Sequence, residues 1–200
     1  MAAIHPPASN QYEPQARFGH CTAFISRNLF MYGGYILGTR YSQPPTVVDV
    51  FDPATERWNQ STTRGQPPPG FIGASSAVIG VYLYVFGGWD EINFFNSIYQ
   101  LNTRSLEWTK LDDVNRREAP MAKCGAAMVS HNGRVLTVVG GWGMLPAHRR
   151  RGTEYILDPD FPGRGWTNEL LCFNINSSEL YLHSQLIHYR YTLKLPSIRS

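Results

Sequence analysis

Cysteine and long apolar runs are scarce in this chain of 200 residues. The three cysteines, Cys21, Cys124 and Cys172, are odd in number, widely separated and in no metal-ligand spacing, which argues against a disulfide framework. No stretch approaches the roughly 18 apolar residues of a membrane span, and the N-terminus lacks the basic and apolar regions of a signal peptide. We therefore expect reduced thiols in a cytoplasmic or nuclear protein that does not bind a membrane.

Charge is sparse as well, because only 16% of the residues are charged. The 18 basic and 15 acidic residues leave a formal net charge of +3, an excess too small to imply a nucleic-acid partner. Hydrophobic residues make up 42% and aromatic residues 13%, which excludes a disordered chain. The 18 glycines and 14 prolines favour an all-β fold with many turns.

What the sequence does contain is an internal repeat with a spacing of 54 and then 53 residues. Three glycine pairs each follow a short apolar run and precede an aromatic residue: Gly33-Gly34 before Tyr35, Gly87-Gly88 before Trp89, and Gly140-Gly141 before Trp142. Another glycine lies 14 or 15 residues upstream of each pair. Trp58 and Trp108 follow in the first two copies, and Leu180 takes that position in the third.

Each copy predicts four short strands, of which the second runs into the glycine pair and the fourth carries the Trp. Four-stranded units of about 50 residues are typical of kelch β-propeller blades. The sequence resembles the kelch-repeat family from residue 17 to about 179, which implies an all-β fold, a partial propeller of about three antiparallel blades. The predicted divisions are a flexible N-terminal lead (1–16), repeat 1 (17–62), repeat 2 (63–113), repeat 3 with a long loop at 142–167 (114–179), and a divergent tail (180–200).

The third repeat carries a narrower resemblance. Its Lys-x-Gly at Lys123, its Gly-Gly-aromatic-Gly-x-Leu-Pro at 140–146 and its Arg-Gly-Trp at 164–166 are similar to a stretch in the kelch domain-containing protein 2 group. Members of that group are substrate receptors of cullin-2 RING ubiquitin ligases and capture proteins by an extreme C-terminus, commonly one that ends in Gly-Gly. The resemblance implies that the matching positions line a peptide pocket. It also implies that a full-length form binds the cullin-2/elongin complex.

Blade geometry also predicts a shared site. The loop between strands 2 and 3 and the start of strand 1 lie on one rim of a four-stranded blade. Lys123 lies at such a start, Trp142 at the end of a second strand and Trp166 at the end of the long loop, so we expect all three on one rim. A lysine attracts a peptide carboxylate, and flat rings pack against a peptide backbone. Trp89 and Tyr35 hold the same position after their glycine pairs and are weaker candidates for the peptide site.

Three features depart from the pattern of that group. Position 142 is Trp where the relatives carry Tyr, which removes a hydroxyl donor. Family propellers have six blades, and the arginines and serine of their pocket come from blades after the third. The elongin-binding motif near their C-terminus has no counterpart here. We expect residues 180–200 to be unrelated sequence, the alternative being a divergent last strand followed by a tail. Because three of six blades form only about half a ring, we expect two blade faces to be open to water.

The sequence therefore indicates a non-catalytic protein-interaction module. Some propellers are enzymes, including copper radical oxidases, but no Ser-His-Asp set, phosphate loop or metal-ligand spacing occurs. We expect no catalysis, no cofactor and no metal. The leading hypothesis is an incomplete ubiquitin-ligase substrate receptor that binds C-terminal peptide degrons. The alternative is a kelch scaffold that binds cytoskeletal or transcriptional partners through its loops.

Overall fold

Short strands make up the regular secondary structure of residues 12–36, 44–111 and 119–183, which are the residues that the computed structural model describes. In chain order the strands are β1 (Arg17–Phe18), β2 (Cys21–Ile25), β3 (Asn28–Tyr32), β4 (Tyr35–Ile36), β5 (Val47–Asp52), β6 (Arg57–Thr62), β7 (Arg64–Gly65), β8 (Ser75–Ile79), β9 (Tyr82–Phe86), β10 (Ile98–Asn102), β11 (Glu107–Lys110), β12 (Lys123–Cys124), β13 (Ala127–His131), β14 (Val135–Val139), β15 (Trp142–Met144), β16 (Tyr155–Leu157), β17 (Arg164–Thr167), β18 (Leu170–Asn174) and β19 (Glu179–His183). The chain is thus all-β over its described part, as its repeat predicts.

Three antiparallel sheets correspond to the three repeats. Blade 1 has the order β2-β3-β5-β6, blade 2 the order β8-β9-β10-β11, and blade 3 the order β13-β14-β18-β19. The short strand β7 adds to blade 2 in parallel with β11. Two smaller sheets, β1-β4 and β12-β15-β17-β16, extend blades 1 and 3 beyond their glycine pairs. The fold class is that of a partial kelch propeller.

Blade 2 is buried on both faces because successive residues of a strand point to opposite sides. Leu83 and Val85 of β9 pack into a cluster shared with blade 1, which also contains Trp108. Tyr84 and Phe86 of the same strand pack into a second cluster shared with blade 3. Within the described residues, the two hydrophobic cores therefore lie at the two junctions between blades.

Glycine at the end of the second strand lets the next blade approach closely. Gly87 has a φ of +68°, and a Cβ atom there would lie 2.4 Å from the carbonyl oxygen of Lys123 in the next repeat. The following residue, Gly88, donates its N–H to the same oxygen at 2.9 Å. A side chain at Gly87 would separate blades 2 and 3 on this rim.

The long loop predicted at 142–167 contains three strands instead. We call the sheet of β12, β15, β17 and β16 the rim sheet. The backbones of β16 and β17 approach closely at Gly165, where a Cβ atom would lie 2.1 Å from the carbonyl oxygen of Ile156. Burial alternates from residue to residue in Trp142–Met144 and Arg164–Thr167, as is expected of paired strands. Pairing of the two strands satisfies backbone N–H and C=O groups that an irregular loop would leave to solvent.

The structure also describes parts of the predicted tail and of the predicted N-terminal lead. Strand β19 extends to His183, so the fourth strand of blade 3 enters the segment predicted as a tail. Leu180 pairs with Phe173 and packs against the junction with blade 2, because an apolar side chain suffices at the position that Trp holds elsewhere. In the predicted N-terminal lead, Tyr12 donates its hydroxyl to buried Asp49 at 2.5 Å, so this end of the lead is attached to blade 1.

Candidate functional site

The rim sheet contains all three residues predicted to form a peptide site. Lys123 lies on β12, Trp142 on β15 and Trp166 on β17, and these strands are neighbours in the sheet. The register pairs Trp142 with Trp166 and Trp166 with Ile156, so their side chains form one row on one face. The structure therefore brings the two tryptophans together, although they are 24 positions apart in sequence.

We call the side that bears the two tryptophans the outer face of the rim sheet. Arg164 and Met144 are cross-strand partners two residues from this row, so they lie on the same face. Trp166 is 45% exposed, Met144 47% and Ile156 54%. The outer face is consequently a solvent-accessible surface of large apolar side chains with one cation.

Lys123 lies on the opposite face of the rim sheet. It pairs with Gly143, one position out of step with the row in which Cys124 pairs with Trp142. Only 1% of the residue is exposed, and its Nζ donates to Oε2 of Glu169 at 2.8 Å. Burial lowers the pKa of Lys123 although the Glu169 carboxylate opposes the shift. Contact between Lys123 and a peptide carboxylate stays a prediction, and in this arrangement the ammonium group is occupied.

Glu169 bridges the side chain of Lys123 and the backbone of Met121. Besides the Lys123 ammonium, its carboxylate accepts the backbone N–H of Met121 at 3.1 Å. The residue is 2% exposed. The buried carboxylate stabilises the fold only while both hydrogen-bond donors remain, because burial of an unpaired charge is strongly destabilising.

Arg164 is surrounded by three aromatic rings. Its guanidinium carbon lies 5.3 Å from the ring centre of Phe94, 5.4 Å from that of Trp142 and 5.5 Å from that of Phe161. Phe94 and Phe161 each meet the Trp142 ring edge-on. Cation–π contacts of this kind hold a guanidinium in place but leave its N–H groups available as donors.

Trp142 makes a polar contact through its indole nitrogen. Its indole Nε1 donates to Oδ2 of Asp158 at 2.7 Å, and Asp158 is itself buried. The other carboxylate oxygen accepts the backbone N–H of Asp160. Replacement of Tyr by Trp thus removes the predicted hydroxyl donor and, through Asp158, anchors the indole ring.

The two weaker candidates differ in their connection to this surface. The Trp89 ring stacks on Phe94 with centres 6.0 Å apart, and Phe94 in turn contacts Trp142. Trp89 therefore joins the same aromatic chain from blade 2. Tyr35 lies in the β1-β4 sheet of blade 1 and packs against Phe18 at 5.5 Å. Its participation in peptide binding, like that of the other site residues, stays a prediction.

Sequence reasoning did not single out Arg164, Phe94 and Phe161, which contact Trp142 in the candidate site. Arg164 had a usable signal, since it precedes Trp166 by two residues and a strand would place both on one face. Phe94 had none, because it comes from blade 2 and meets Trp142 only through the packing of two blades.

Other parts of the described structure contain less that suggests a site. A groove of about 400 Å³ lies between blades 1 and 2 at the end opposite the glycine pairs, with Asn28, Asp52 and Arg104 among its lining residues. Within the described ranges, no group of three or more His, Cys, Asp or Glu side chains is arranged to hold a metal ion. No helix of the described residues is long and apolar enough to cross a membrane. The three cysteines are free thiols.

Comparison with known proteins agrees with the propeller architecture. Residues 2–188 match the KLHDC2/KLHL20/DRC7 Kelch-repeats domain. Kelch domain-containing protein 2 from Homo sapiens is 28% identical over 213 aligned residues, which cover 97% of this chain and 50% of that protein. Kelch domain-containing protein 3 from Bos taurus is 31% identical over 113 residues, 54% of this chain and 29% of that protein. The chain thus spans about half the length of the kelch domain-containing protein 2 relatives that it matches. With its three four-stranded blades, the chain belongs to the KLHDC2/KLHL20/DRC7 kelch-repeat family.

Proposed function

We propose that this chain is a non-catalytic protein-interaction module that binds the C-terminal end of a partner polypeptide on the outer face of the rim sheet. The observation that carries the proposal is the exposed Trp166, which pairs with the half-buried Trp142 on the outer face of the rim sheet. Large apolar patches at a surface are typical of binding sites, and tryptophan is enriched among residues that dominate binding energy.

The chemistry of this face suits a peptide end. Trp166 offers flat apolar surface to a backbone, and Arg164 lies beside it as a cation over the half-buried ring of Trp142. Trp89 continues the aromatic surface toward blade 2 through Phe94. A carboxylate that binds Lys123 must first displace Glu169 from its 2.8 Å contact.

The proposal extends to the role that the sequence resemblance implies. The chain would present C-terminal degrons to a cullin-2 RING ubiquitin ligase, with the remaining blades and the elongin contact supplied by a longer form. The family match and the alignment with kelch domain-containing protein 2 over 97% of this chain support the choice of that group over an unrelated scaffold.

The test is a fluorescence-polarisation titration of the chain with a labelled peptide that ends in Gly-Gly and with its C-terminally amidated twin. We expect the free carboxylate to bind more tightly, and Trp166→Ala to weaken binding about tenfold or more. Trp58→Ala is the matched control, since Trp58 lies in blade 1 on β6 and should leave the affinity unchanged.

Light scattering on the same samples establishes that each variant has the same size, and circular dichroism establishes that it is folded. Equal affinity for acid and amide peptides by a folded wild-type chain would contradict the proposal. That result would favour a kelch scaffold that recognises its partners through other surfaces.

A further inference from the structure

The peptide site proposed above needs a cation, and the rim sheet offers two on opposite faces. Arg164 lies two residues from Trp166 on β17 and shares its face. Lys123 pairs with Gly143 and lies beneath the sheet. A peptide that packs on the tryptophans meets Arg164 first, because the backbone of the rim sheet separates it from Lys123.

The two cations also differ in how their charge is satisfied. The Lys123 ammonium is buried and in an ion pair with Glu169. For Arg164, no carboxylate lies within ion-pair distance in the described part of the chain. Its surroundings are the rings of Phe94, Trp142 and Phe161, which attract a cation through their π faces but accept no strong hydrogen bond.

Among the described residues, the acid nearest in the sheet register forms no ion pair with Arg164. Asp158 is bonded to the backbone of Arg164, through a 2.9 Å contact from its N–H to the Arg164 carbonyl. Its two carboxylate oxygens, however, accept Trp142 Nε1 and the N–H of Asp160. The guanidinium thus keeps its positive charge available at an apolar, partly desolvated surface, where a charge-assisted bond is strong.

We propose that Arg164 is the residue that binds the terminal carboxylate, and that Lys123 acts from the opposite face by holding Glu169. This inference rests on the proposed function. A guanidinium fork matches the two oxygens of a carboxylate, and the three rings hold that fork in place before the ligand arrives. Arg164 therefore sets the preference for a free C-terminus over an amide.

The experiment measures the ratio of acid to amide affinity for the same Gly-Gly peptide in four variants of the chain. Arg164→Gln should reduce the acid affinity about tenfold or more, toward the amide value, while the amide affinity stays constant. Arg164→Lys should keep a part of the preference, since it retains the charge but not the fork. Arg104→Gln, an exposed arginine at the other end of blade 2, is the matched control and should change neither affinity.

The fourth variant, Lys123→Met/Glu169→Gln, removes the buried pair while a glutamine oxygen still accepts the Met121 N–H. We expect it to keep the preference for the acid. Preservation of the preference in folded Arg164→Gln, or its loss in the folded double variant alone, would overturn the inference and assign the carboxylate to Lys123. If Arg164→Gln unfolds, a full wild-type preference for the acid peptide in Arg164→Lys would likewise overturn the inference. Lack of any preference in the wild type contradicts the proposed function itself, and the inference with it.

Discussion

The junctions between blades and the surfaces that blade 3 leaves open use similar residues in opposite ways. At the junctions, Tyr84, Phe86 and Val138 pack in one cluster and exclude water. On the open side of blade 3, Val129 is 58% exposed and Val139 44% exposed. The outer face of the rim sheet likewise displays Trp166. Apolar side chains therefore stabilise the chain in one region and are available for contact in the other.

Charge follows the same division. Lys123 and Glu169 form a buried ion pair, in which each charge has the other as its partner. Arg164 lies at the open face among aromatic rings. A cation is structural where the fold supplies its counter-charge, as Glu169 does for Lys123, whereas the described residues supply no carboxylate to Arg164.

The largest effect is expected when the buried pair is broken. Glu169→Ala leaves the Lys123 ammonium buried without a partner, which should lower the free energy of unfolding by about 3–5 kcal/mol. Urea denaturation followed by tryptophan fluorescence measures the change. The double variant Lys123→Met/Glu169→Gln should regain most of the loss, because no charge remains to be desolvated. A cost below about 1 kcal/mol for Glu169→Ala would mean that the pair is open to solvent.

A smaller effect separates two adjacent valines of β14. Val138 is fully buried toward blade 2, whereas its neighbour Val139 faces the open side. Val138→Ala should cost about 2 kcal/mol, and Val139→Ala less than about 0.5 kcal/mol. Paired denaturation curves at two protein concentrations test this. Equal, concentration-dependent costs would show that the open side is covered by a second copy in solution.

The smallest effect concerns pH at the junction of blades 1 and 2. Burial raises the pKa of the Cys21 thiol from 9.0 to about 11, and the thiol donates to the carbonyl of Ala74 in blade 2. Because the folded pKa lies above the unfolded one, the unfolded chain loses its proton first. This contribution is complete below pH 9 and declines as the pH rises toward 11, by at most about 1.4 kcal/mol per pH unit.

Stability measured between pH 8 and 10 should therefore fall less steeply in Cys21→Ala than in the wild type. Cys172→Ala is the control, because Cys172 lies half-buried on the open side of blade 3, beside Thr137. An unchanged slope in Cys21→Ala would show that water reaches this junction.

Most of the blade architecture was predictable from local pattern. The glycine pairs and the alternating apolar residues indicate the strands because both reflect the backbone and side-chain geometry of a single repeat. The strands β15, β16 and β17 were not predictable in this way, because spacing alone suggested a long loop at 142–167. These strands are three or four residues long, too short for a periodic signal to stand out.

The site was predictable only in part. The order of the strands predicts Trp142 and Trp166 on one rim, and the structure puts them side by side. It predicts Lys123 on the same rim, but the face of Lys123 depends on register, and a shift of one residue moves a side chain to the other face of the sheet. The environment of Arg164 is not predictable from local sequence, because it depends on Phe94 of another blade.

The repeat, the number of blades and the spacing of the aromatic residues follow from the sequence alone, since they depend on interactions between residues that are close along the chain. Tertiary packing determines which cation is buried with a counter-charge and which lies half-buried among aromatic rings. The Lys123–Glu169 pair joins residues 46 positions apart, and the aromatic surroundings of Arg164 come from two blades. Burial and counter-charge arise when distant segments pack, so no local pattern encodes them.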